Sequence, residues 1–313
     1  MRFGIFVDAA CDLPAEVLSD PRIQLLPIPI MAGSRLFVDA RDPAVTRKFY
    51  RRALSRGTRV TSWQPFGESE IEHVFLSRLI YMFDDVTCLI HAGSRSPIYQ
   101  RVQAASSPIL DKCRALREEV GVEQPFAVRA FDSQSVYAGQ GVQVLELARM
   151  VRAEAPPARI VPRLEEIVAA TYTYVVPDDL AYINARAARK GDRGMGIVNR
   201  AVGSALDLKP VIVCRGGETR AVARVRHFGQ TLSRVFANIA REIDRGLIAP
   251  FVNLSYGGDP APLMQSSAYQ GMARRAQSRG VDVCWSHLSM AGGVALGRGA
   301  LTVGIVAQEH EFE

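Results

Sequence analysis

The sequence predicts an α/β protein with two domains, and three observations lead to this prediction. The chain has 313 residues, which is more than one ordinary hydrophobic core holds. Apolar residues make up 48% of it and charged residues 22%, as is typical of chains that fold around a core. Short apolar runs alternate with helical periodicity, and this alternation is typical of a parallel sheet covered on both faces. We therefore expect a parallel-sheet domain at residues 1–155 and an α+β domain with a mixed sheet at residues 156–313.

The elements of the first domain follow from these patterns in order. Strands are predicted at Arg2–Val7, Val86–Ile90 and Phe126–Phe131, and helices at Val45–Ser55, Glu68–Met82, Pro97–Val120 and Gly141–Ala153. The run Ile23–Met31 is extended but contains Pro27 and Pro29. Because proline donates no ladder hydrogen bond, this run is expected to form an edge strand or an arm.

Pro156-Pro157 is the expected boundary between the domains, and the alternation continues beyond it. Strands are predicted at Tyr172–Val176, Lys209–Cys214, Arg220–Arg226, Phe251–Ser255, Val281–Trp285 and Leu301–Ala307. Helices are predicted at Ile160–Ala169, Phe228–Arg245 and Pro260–Arg279, with a further helix starting at Pro177. Gly216-Gly217 is predicted as the turn of a hairpin with an antiparallel return strand. The second half is therefore expected to place helices against a mixed sheet.

Charge and composition exclude several classes of protein. The net charge is +6, but the densest basic stretch, Arg186–Arg193, contains Asp192 and no aromatic residue. A nucleic-acid surface concentrates cations on one face, so we interpret this stretch as a solvated helix end and expect no nucleic-acid partner. No apolar run is long enough for a transmembrane span, and the first apolar run is too short for a signal peptide. The five cysteines form no CxxC pair, which favours a reduced, cytoplasmic protein.

Signatures of common enzyme classes are absent from the sequence. The chain has no G-x-S-x-G elbow, no Walker motif, no HExxH and no complete GxGxxG after a strand. Gly139-Gln140-Gly141 matches only part of a dinucleotide fingerprint, and a tight helix entry explains it better. The histidines share no metal-ligand spacing. We therefore expect a protein that is not an enzyme and that carries no cofactor or metal ion.

Three polar segments lie where predicted strands pass into loops or helices. They are Thr61-Ser62 before Pro65, Ser94-Arg95-Ser96-Pro97 after an apolar strand, and Gly297-Arg298-Gly299 near the end of the chain. Ligands of open α/β sheets bind beyond the carboxyl ends of the strands, and a helix N-terminus attracts carboxylates and phosphates. The second segment, with Ser96 as the expected N-cap, suits such an anion. Taken singly, each segment is more often an ordinary cap or turn.

Further short motifs follow one another along nearly the whole chain. They include Asp12-Leu13-Pro14, Thr61-Ser62, Ser96…Tyr99-Gln100, Asp132-Ser133…Gly139-Gln140-Gly141, Asp178-Asp179-Leu180, Leu208-Lys209-Pro210-Val211-Ile212, Arg226 and Gly297-x-Gly299-Ala300-Leu301. In this order they resemble the DegV family. The resemblance implies a two-domain α/β protein that encloses one long-chain fatty acid between its domains and performs no chemistry itself. It also implies that the acyl carboxylate is presented to a separate fatty-acid kinase, as in several bacteria.

The expected head-group site departs from the pattern of the family. The serine that commonly meets the carboxylate falls on Gly93, and the head-group histidine falls on Ala295. Two explanations are open: Ser94, Arg95 and Arg298 rebuild the clamp, or the chain holds a different amphiphile. We predict a ligand site formed by Thr61, Ser62, Gly93, Ser94, Arg95, Ser96, Gly297, Arg298 and Gly299. The alternatives are a small-molecule enzyme of a related α/β fold and an interaction protein that has lost ligand binding.

Overall fold

The strands form three sheets in the part of the chain that the structure describes. The structure is a computed structural model, and it describes residues 2–32, 34–54, 60–63, 66–183 and 208–313, with the backbone alone at 60–63. The strands are β1 (Phe3–Asp8), β2 (Ile23–Leu26), β3 (Ile28–Ala32), β4 (Arg35–Asp39), β5 (Val60–Trp63), β6 (Asp85–Ile90), β7 (Ala127–Asp132), β8 (Thr171–Val176), β9 (Leu208–Arg215), β10 (Glu218–Arg226), β11 (Phe251–Tyr256), β12 (Asp282–His287) and β13 (Leu301–Val306).

The helices flank these sheets. They are α1 (Ala15–Leu18), α2 (Pro43–Arg52), α3 (Glu68–Val74), α4 (Ile80–Met82), α5 (Ile98–Glu119), α6 (Ala138–Arg152), α7 (Pro157–Ala170), α8 (Phe228–Arg245), α9 (Ala261–Met264), α10 (Ser267–Ser278) and α11 (Met290–Leu296). A π-helical segment, Phe75–Leu79, joins α3 to α4, so the helix predicted over Glu68–Met82 is confirmed as one continuous run.

The first sheet is parallel, in the order β2-β1-β6-β7. Neighbouring side chains on each strand point to opposite faces, and both faces are covered. Phe6 and Ile90 lie in a cluster with residues of α5, whereas Leu89 packs with Val144 of α6. The predicted parallel sheet between helices is therefore confirmed. Together with the second sheet it forms what we call the N-lobe.

The second sheet is a small antiparallel one, in the order β4-β3-β5, and it corrects two expectations. The run Ile23–Met31 divides into β2, which is an edge strand, and β3, which is the centre of this sheet. Within the described residues β5 pairs with β3 at Ile30–Ala32, and Pro29, which donates no ladder hydrogen bond, is paired with Val38 of β4 alone. Thr61 and Ser62 lie within β5, whereas the sequence placed them in a loop.

The third sheet is mixed, in the order β10-β9-β8-β13-β11-β12, and forms the C-lobe with α8 and α10. Only β11 and β12 pair in parallel, and the other neighbours are antiparallel. Gly216 and Gly217, with φ angles of 59° and 78°, form the predicted turn between β9 and β10. The α/β fold class with a parallel and a mixed sheet is confirmed.

Several helices differ from their predicted bounds, among them α2, α6 and α7, which begin two or three residues early, and part of another lies outside the described residues. The predicted helix Pro260–Arg279 is interrupted because the Ser266 Oγ accepts a hydrogen bond from the Tyr269 N–H and so caps a new helix, α10. Helix α5 begins at Ile98, one residue after the expected start. The helix predicted from Pro177 is described only at residues 180–183. The basic stretch Arg186–Arg193 lies outside the described residues.

Helix α6 lies between the parallel sheet and the mixed sheet and joins the two lobes. Every residue from Ala138 to Ala148 in this helix is buried. Its first turn approaches the C-lobe so closely that the Asn253 Nδ2 donates hydrogen bonds to the Ala138 carbonyl at 3.0 Å and the Asp12 carbonyl at 2.8 Å. Gly139 and Gly141 allow this approach, because a Cβ atom at either position would collide with the C-lobe or with Asp12. The glycine pair is thus a packing motif at a helix entry, as the sequence predicted.

Candidate functional site

The carboxyl end of the parallel sheet is shaped by two carboxylates that accept hydrogen bonds from the backbone. Asp8 Oδ2, at the end of β1, accepts from the His91 N–H at 2.8 Å and from the Gln140 Nε2 at 3.0 Å. Asp132 Oδ1, at the end of β7, accepts from the Gly93 N–H at 3.1 Å and from the Gln134 N–H at 2.8 Å. These bonds fix the start of the segment 91–96, which contains four of the predicted ligand residues.

Gly93 occupies a position with no room for a side chain. A Cβ atom there would lie 2.9 Å from the Asp132 Oδ2 and 2.9 Å from the Gln100 Nε2. Because Gln100 is bound by its amide to the Gly93 carbonyl at 3.3 Å, neither neighbour is free to retreat without losing a hydrogen bond. The geometry around Gly93 therefore leaves no room for the serine that the resemblance implies at this position.

Ser94 and Arg95 both reach across to the C-lobe. The Ser94 Oγ donates to the Gly217 carbonyl at 2.6 Å, and the Arg95 Nη2 donates to the Thr219 Oγ1 at 2.5 Å. The single hydroxyl hydrogen of Ser94 is thus used within the protein. The Arg95 Nε is buried and has no hydrogen-bond acceptor within the described residues, so it is a donor that remains open.

Ser96 is buried and belongs to the helix start. Its Oγ accepts from the Ile98 N–H at 3.4 Å, and its own N–H donates to the Ala92 carbonyl at 3.1 Å. The N-cap position of α5 is Pro97, so the prediction that Ser96 is the N-cap is wrong: the helix begins one residue later, and Ser96 lies one residue before the cap. The first turn of a helix of 22 residues carries N–H groups that favour a negative charge nearby.

The Gly297–Gly299 loop passes close to two neighbouring segments. The Gly299 N–H donates to the Gly257 carbonyl at 3.1 Å, and a Cβ atom at Gly299 would lie 2.8 Å from the Asp178 Oδ2. Gly297 and Gly299 have φ angles of 83° and 73°, which glycine adopts at little cost. The Arg298 side chain is exposed. The backbone of this loop therefore lies close to its neighbours, and Arg298 lies on the surface.

A buried ion-pair cluster, which sequence reasoning missed, holds the start of α11 before this loop. Arg41 Nη1 lies 3.0 Å from Asp12 Oδ1, and the Arg41 Nη2 donates to the His287 carbonyl at 2.7 Å. Asp12 also accepts from the Ser289 N–H at 2.9 Å and from the Ser255 Oγ. Asp12-Leu13-Pro14 is among the motifs of the resemblance, but no local pattern pointed to Arg41 as its partner.

Burial controls the ionisation of this cluster. It raises the pKa of Asp12 to about 6, although Arg41 and the hydrogen bonds of Ser255 and Ser289 act in the opposite direction. Burial also raises the pKa of Asp39, whose Oδ2 accepts from the Ala291 N–H at 3.2 Å. One arginine thus faces two fully buried carboxyl groups at the junction of the lobes.

The predicted site residues border one apolar cluster that is shared by the two lobes. Ala92, which precedes Gly93, and Ala300, which follows Gly299, belong to the same cluster of buried residues. Its other members come from both lobes and include Ile98, Val102, Val175, Ile212, Cys214, Leu288, Met290, Val294 and Leu296. The segments 93–96 and 297–299 therefore lie at the edge of the apolar cluster that the two lobes share. The side chains of Thr61 and Ser62 lie outside the described residues.

Comparison with known proteins identifies the family. The sequence model of the DegV family, described as an uncharacterised protein family, matches residues 2–308. The chain belongs to the DegV family. A DegV domain-containing protein from Xanthomonas axonopodis pv. citri is 37% identical over 312 residues, which are 100% of this chain and 99% of that protein. A DegV domain-containing protein from Xanthomonas campestris pv. campestris is 36% identical over the same length.

Solved structures of the DegV family share the fold of this chain. DegV from Bacillus subtilis, described as a fatty acid binding protein, has a TM-score of 0.75 at 17% identity, and the match covers 98% of this chain and 100% of that one. A stearic acid-binding protein from Eubacterium ventriosum has a TM-score of 0.74 at 18% identity, with 97% and 98% covered. At these identities the likeness establishes the fold.

The described part of the chain has neither a group of metal ligands nor a helix that could span a membrane. No group of three or more histidine, cysteine, aspartate or glutamate side chains is arranged to hold a metal ion there. None of the helices within those ranges has the length and apolar character needed to cross a bilayer.

Proposed function

We propose that this DegV-family chain binds one long-chain fatty acid, or a similarly long amphiphile, between its two lobes, and that it holds this ligand without transforming it. The observation that carries the proposal is the apolar cluster contributed by both lobes and bordered by polar loops at the carboxyl end of the parallel sheet. The fatty acids named for solved proteins of the same fold, including stearic acid and vaccenic acid, support this class of ligand.

The head group is proposed to lie at the rim of that cluster. The residues of this proposed site are Thr61, Ser62, Gly93, Ser94, Arg95, Ser96, Gly297, Arg298 and Gly299. Among them the Arg95 Nε is the best-supported donor, because it is buried without an acceptor within the described residues. A carboxylate facing this N–H would gain a charge-assisted hydrogen bond and the favourable field of the α5 N-terminus. Ser94 contributes through its position, since its hydroxyl hydrogen is bound by Gly217.

The acyl tail is proposed to supply most of the affinity. Burial of one CH₂ group contributes roughly 0.8 kcal/mol, so a chain of sixteen carbons provides on the order of 10 kcal/mol before the costs of ordering. A polar head-group site then needs only to orient the carboxylate. Because the tail supplies most of the affinity, a head-group site made of one arginine, helix N–H groups and loop backbone is sufficient to orient the carboxylate.

Titration with a fluorescent long-chain fatty acid tests the site. Replacing Arg95 by methionine removes a charged hydrogen bond, for which about 1.5–3 kcal/mol is typical, so we expect the Kd to rise roughly tenfold to a hundredfold. Arg114→Met in helix α5 is the matched control, because the Arg114 side chain is 86% exposed and pairs with Glu118 on the surface. The methyl ester of the same acid should bind both variants equally. An unchanged Kd for the acid with Arg95→Met would reject this head-group site.

The proposed role in a larger system is to present the carboxylate to a separate fatty-acid kinase. The test is to mix the loaded protein with a bacterial fatty-acid kinase and ATP and to look for acyl phosphate by mass spectrometry. The division into domains at residue 155 and a cytoplasmic location stay predictions, the latter supported by five cysteines that are all unpaired thiols.

A further inference from the structure

The turn of the β9–β10 hairpin is tied to the N-lobe by a small set of hydrogen bonds. The Ser94 Oγ donates to the Gly217 carbonyl, the Gly217 N–H donates to the Gln134 carbonyl at 2.7 Å, and the Arg95 Nη2 donates to the Thr219 Oγ1. We call these three bonds the hairpin latch. β10 is an edge strand of the mixed sheet, so within that sheet the hairpin is supported on the β9 side alone.

The latch differs in character from the rest of the junction between the lobes. Along α6 the junction is fully buried and is closed by glycines that admit no side chain. At the latch, Ser94, Gly216 and Glu218 are exposed and Thr219 is half-buried. A net hydrogen bond in a protein changes an opening equilibrium by roughly two- to tenfold, so a few such bonds hold the hairpin far less firmly than buried packing would. β9 is buried and paired with β8 as far as Cys214, so the turn that follows it is the part of the hairpin that these few bonds hold in place.

The hairpin covers the apolar cluster in which the acyl chain is proposed to lie. Ile212 and Cys214, on β9 next to the turn, belong to that cluster together with Ala92 and Val175. The Cβ position of Gly217 lies 3.2 Å from the Ser94 Oγ, so the turn rests directly on the loop that carries the proposed head-group site. Lifting the turn would expose one side of the cluster without disturbing α6.

We propose that the turn of the β9–β10 hairpin is the gate through which the acyl ligand enters and leaves, and that Ser94, Arg95 and Thr219 latch it. This inference rests on the proposed fatty-acid binding. The latch bonds join protein atoms to one another, so loosening them lowers the barrier for entry and for exit alike. Loss of one latch bond should raise the association and dissociation rate constants together, by roughly two- to tenfold each, with the Kd changed by less than about twofold.

Stopped-flow kinetics of the full chain with a fluorescent long-chain fatty acid tests the gate. Thr219→Val removes the latch bond from Arg95 and alters no residue of the proposed head-group site. Ser233→Ala is the control, because the Ser233 Oγ donates only to the Gly229 carbonyl within α8 and is exposed. Thermal unfolding confirms that each variant is folded. Amide hydrogen exchange of the ligand-free protein should show faster exchange at Gly217 in Thr219→Val than in the control.

The possible results of this experiment distinguish a failure of the proposed gate from a failure of the proposed fatty-acid binding. Parallel increases in both rate constants, with faster exchange at Gly217, support the gate. Dissociation that accelerates while association is unchanged would mean that the contact between Arg95 and Thr219 stabilises the bound ligand, and it would overturn the gate. Binding with unaltered rates in Thr219→Val would overturn the gate and leave fatty-acid binding intact. A wild-type chain that takes up no fatty acid would overturn both.

Discussion

Replacing Gly304 by alanine tests the close contact between helix α6 and the mixed sheet, which holds the two lobes in place. Gly304 lies in β13, and a Cβ atom there would stand 2.6 Å from the carbonyl carbon of Ala138 and 2.7 Å from the Cα of Gly139. Both obstacles are backbone atoms, so the clash is relieved only if α6 moves away from the sheet. Such a movement would also stretch the hydrogen bond from Asn253 to the Ala138 carbonyl.

The expected cost follows from this geometry. Overpacking of a filled interior destabilises by typically ~1–3 kcal/mol, and we expect the upper end, about 3 kcal/mol, because backbone cannot rotate out of the way. At roughly 2–4 °C per kcal/mol for a chain of more than 150 residues, Gly304→Ala should unfold at least about 6 °C below the wild type. Differential scanning calorimetry measures this shift.

Gly271→Ala is the matched control for the loss of a glycine. Gly271 lies inside α10, and no atom lies within 4 Å of the position that its Cβ would take. Alanine is favoured over glycine in a helix interior by roughly 0.5–1 kcal/mol, so this variant should unfold at the wild-type temperature or slightly above it. Equal stability of Gly304→Ala and the wild type would refute the close packing of α6 against β13.

Three further predictions concern the ion-pair cluster and the rim of the apolar cluster. The folded-state pKa of Asp12 lies near 6, above the unfolded value of about 3.9, so its contribution to stability is present below pH 4 and is lost as the pH rises through 6. Urea unfolding should therefore show wild-type stability falling between pH 4 and 7 relative to Asp12→Asn, by an amount on the order of 2–3 kcal/mol, and parallel pH profiles would contradict this. Tyr50→Phe removes a buried hydrogen bond to the Ser289 carbonyl and should cost about 1 kcal/mol in the same assay, whereas no loss would show that this bond is dispensable. Gly93→Ser should lower the unfolding temperature by crowding Asp132, and tighter fatty-acid binding by this variant would contradict the geometry described for Gly93.

The main sheets were predictable from the sequence because each strand and helix carries its own pattern. β6 is a short, mostly apolar and fully buried strand between helices, and the helix Phe228–Arg245 was predicted at its observed bounds. The small antiparallel sheet was missed because prolines at 27 and 29 argue against a central strand, and only the long-range pairing shows that Pro29 lies near the start of β3, opposite Val38 of β4. Local propensity does not contain that long-range arrangement.

The candidate site was predictable in its location and less so in its chemistry. Loops at the carboxyl ends of strands pointed to the segments at 93–96 and 297–299, and these do border one apolar cluster. The use of Ser94 and Arg95 to bind the β9–β10 hairpin was not predictable, because their partners lie more than 120 residues away in the sequence. The same holds for Arg41, whose partner Asp12 is reached only once the strands between them are folded.

A crystal structure of the protein loaded with a long-chain fatty acid brominated at its terminal carbon tests the central claim most directly, because anomalous scattering locates the bromine. We expect one acyl chain between the lobes, with the bromine among the buried apolar residues and the carboxylate within hydrogen-bond distance of the Arg95 Nε. Bromine on the protein surface, or no acyl density between the lobes at saturating ligand, would contradict the account.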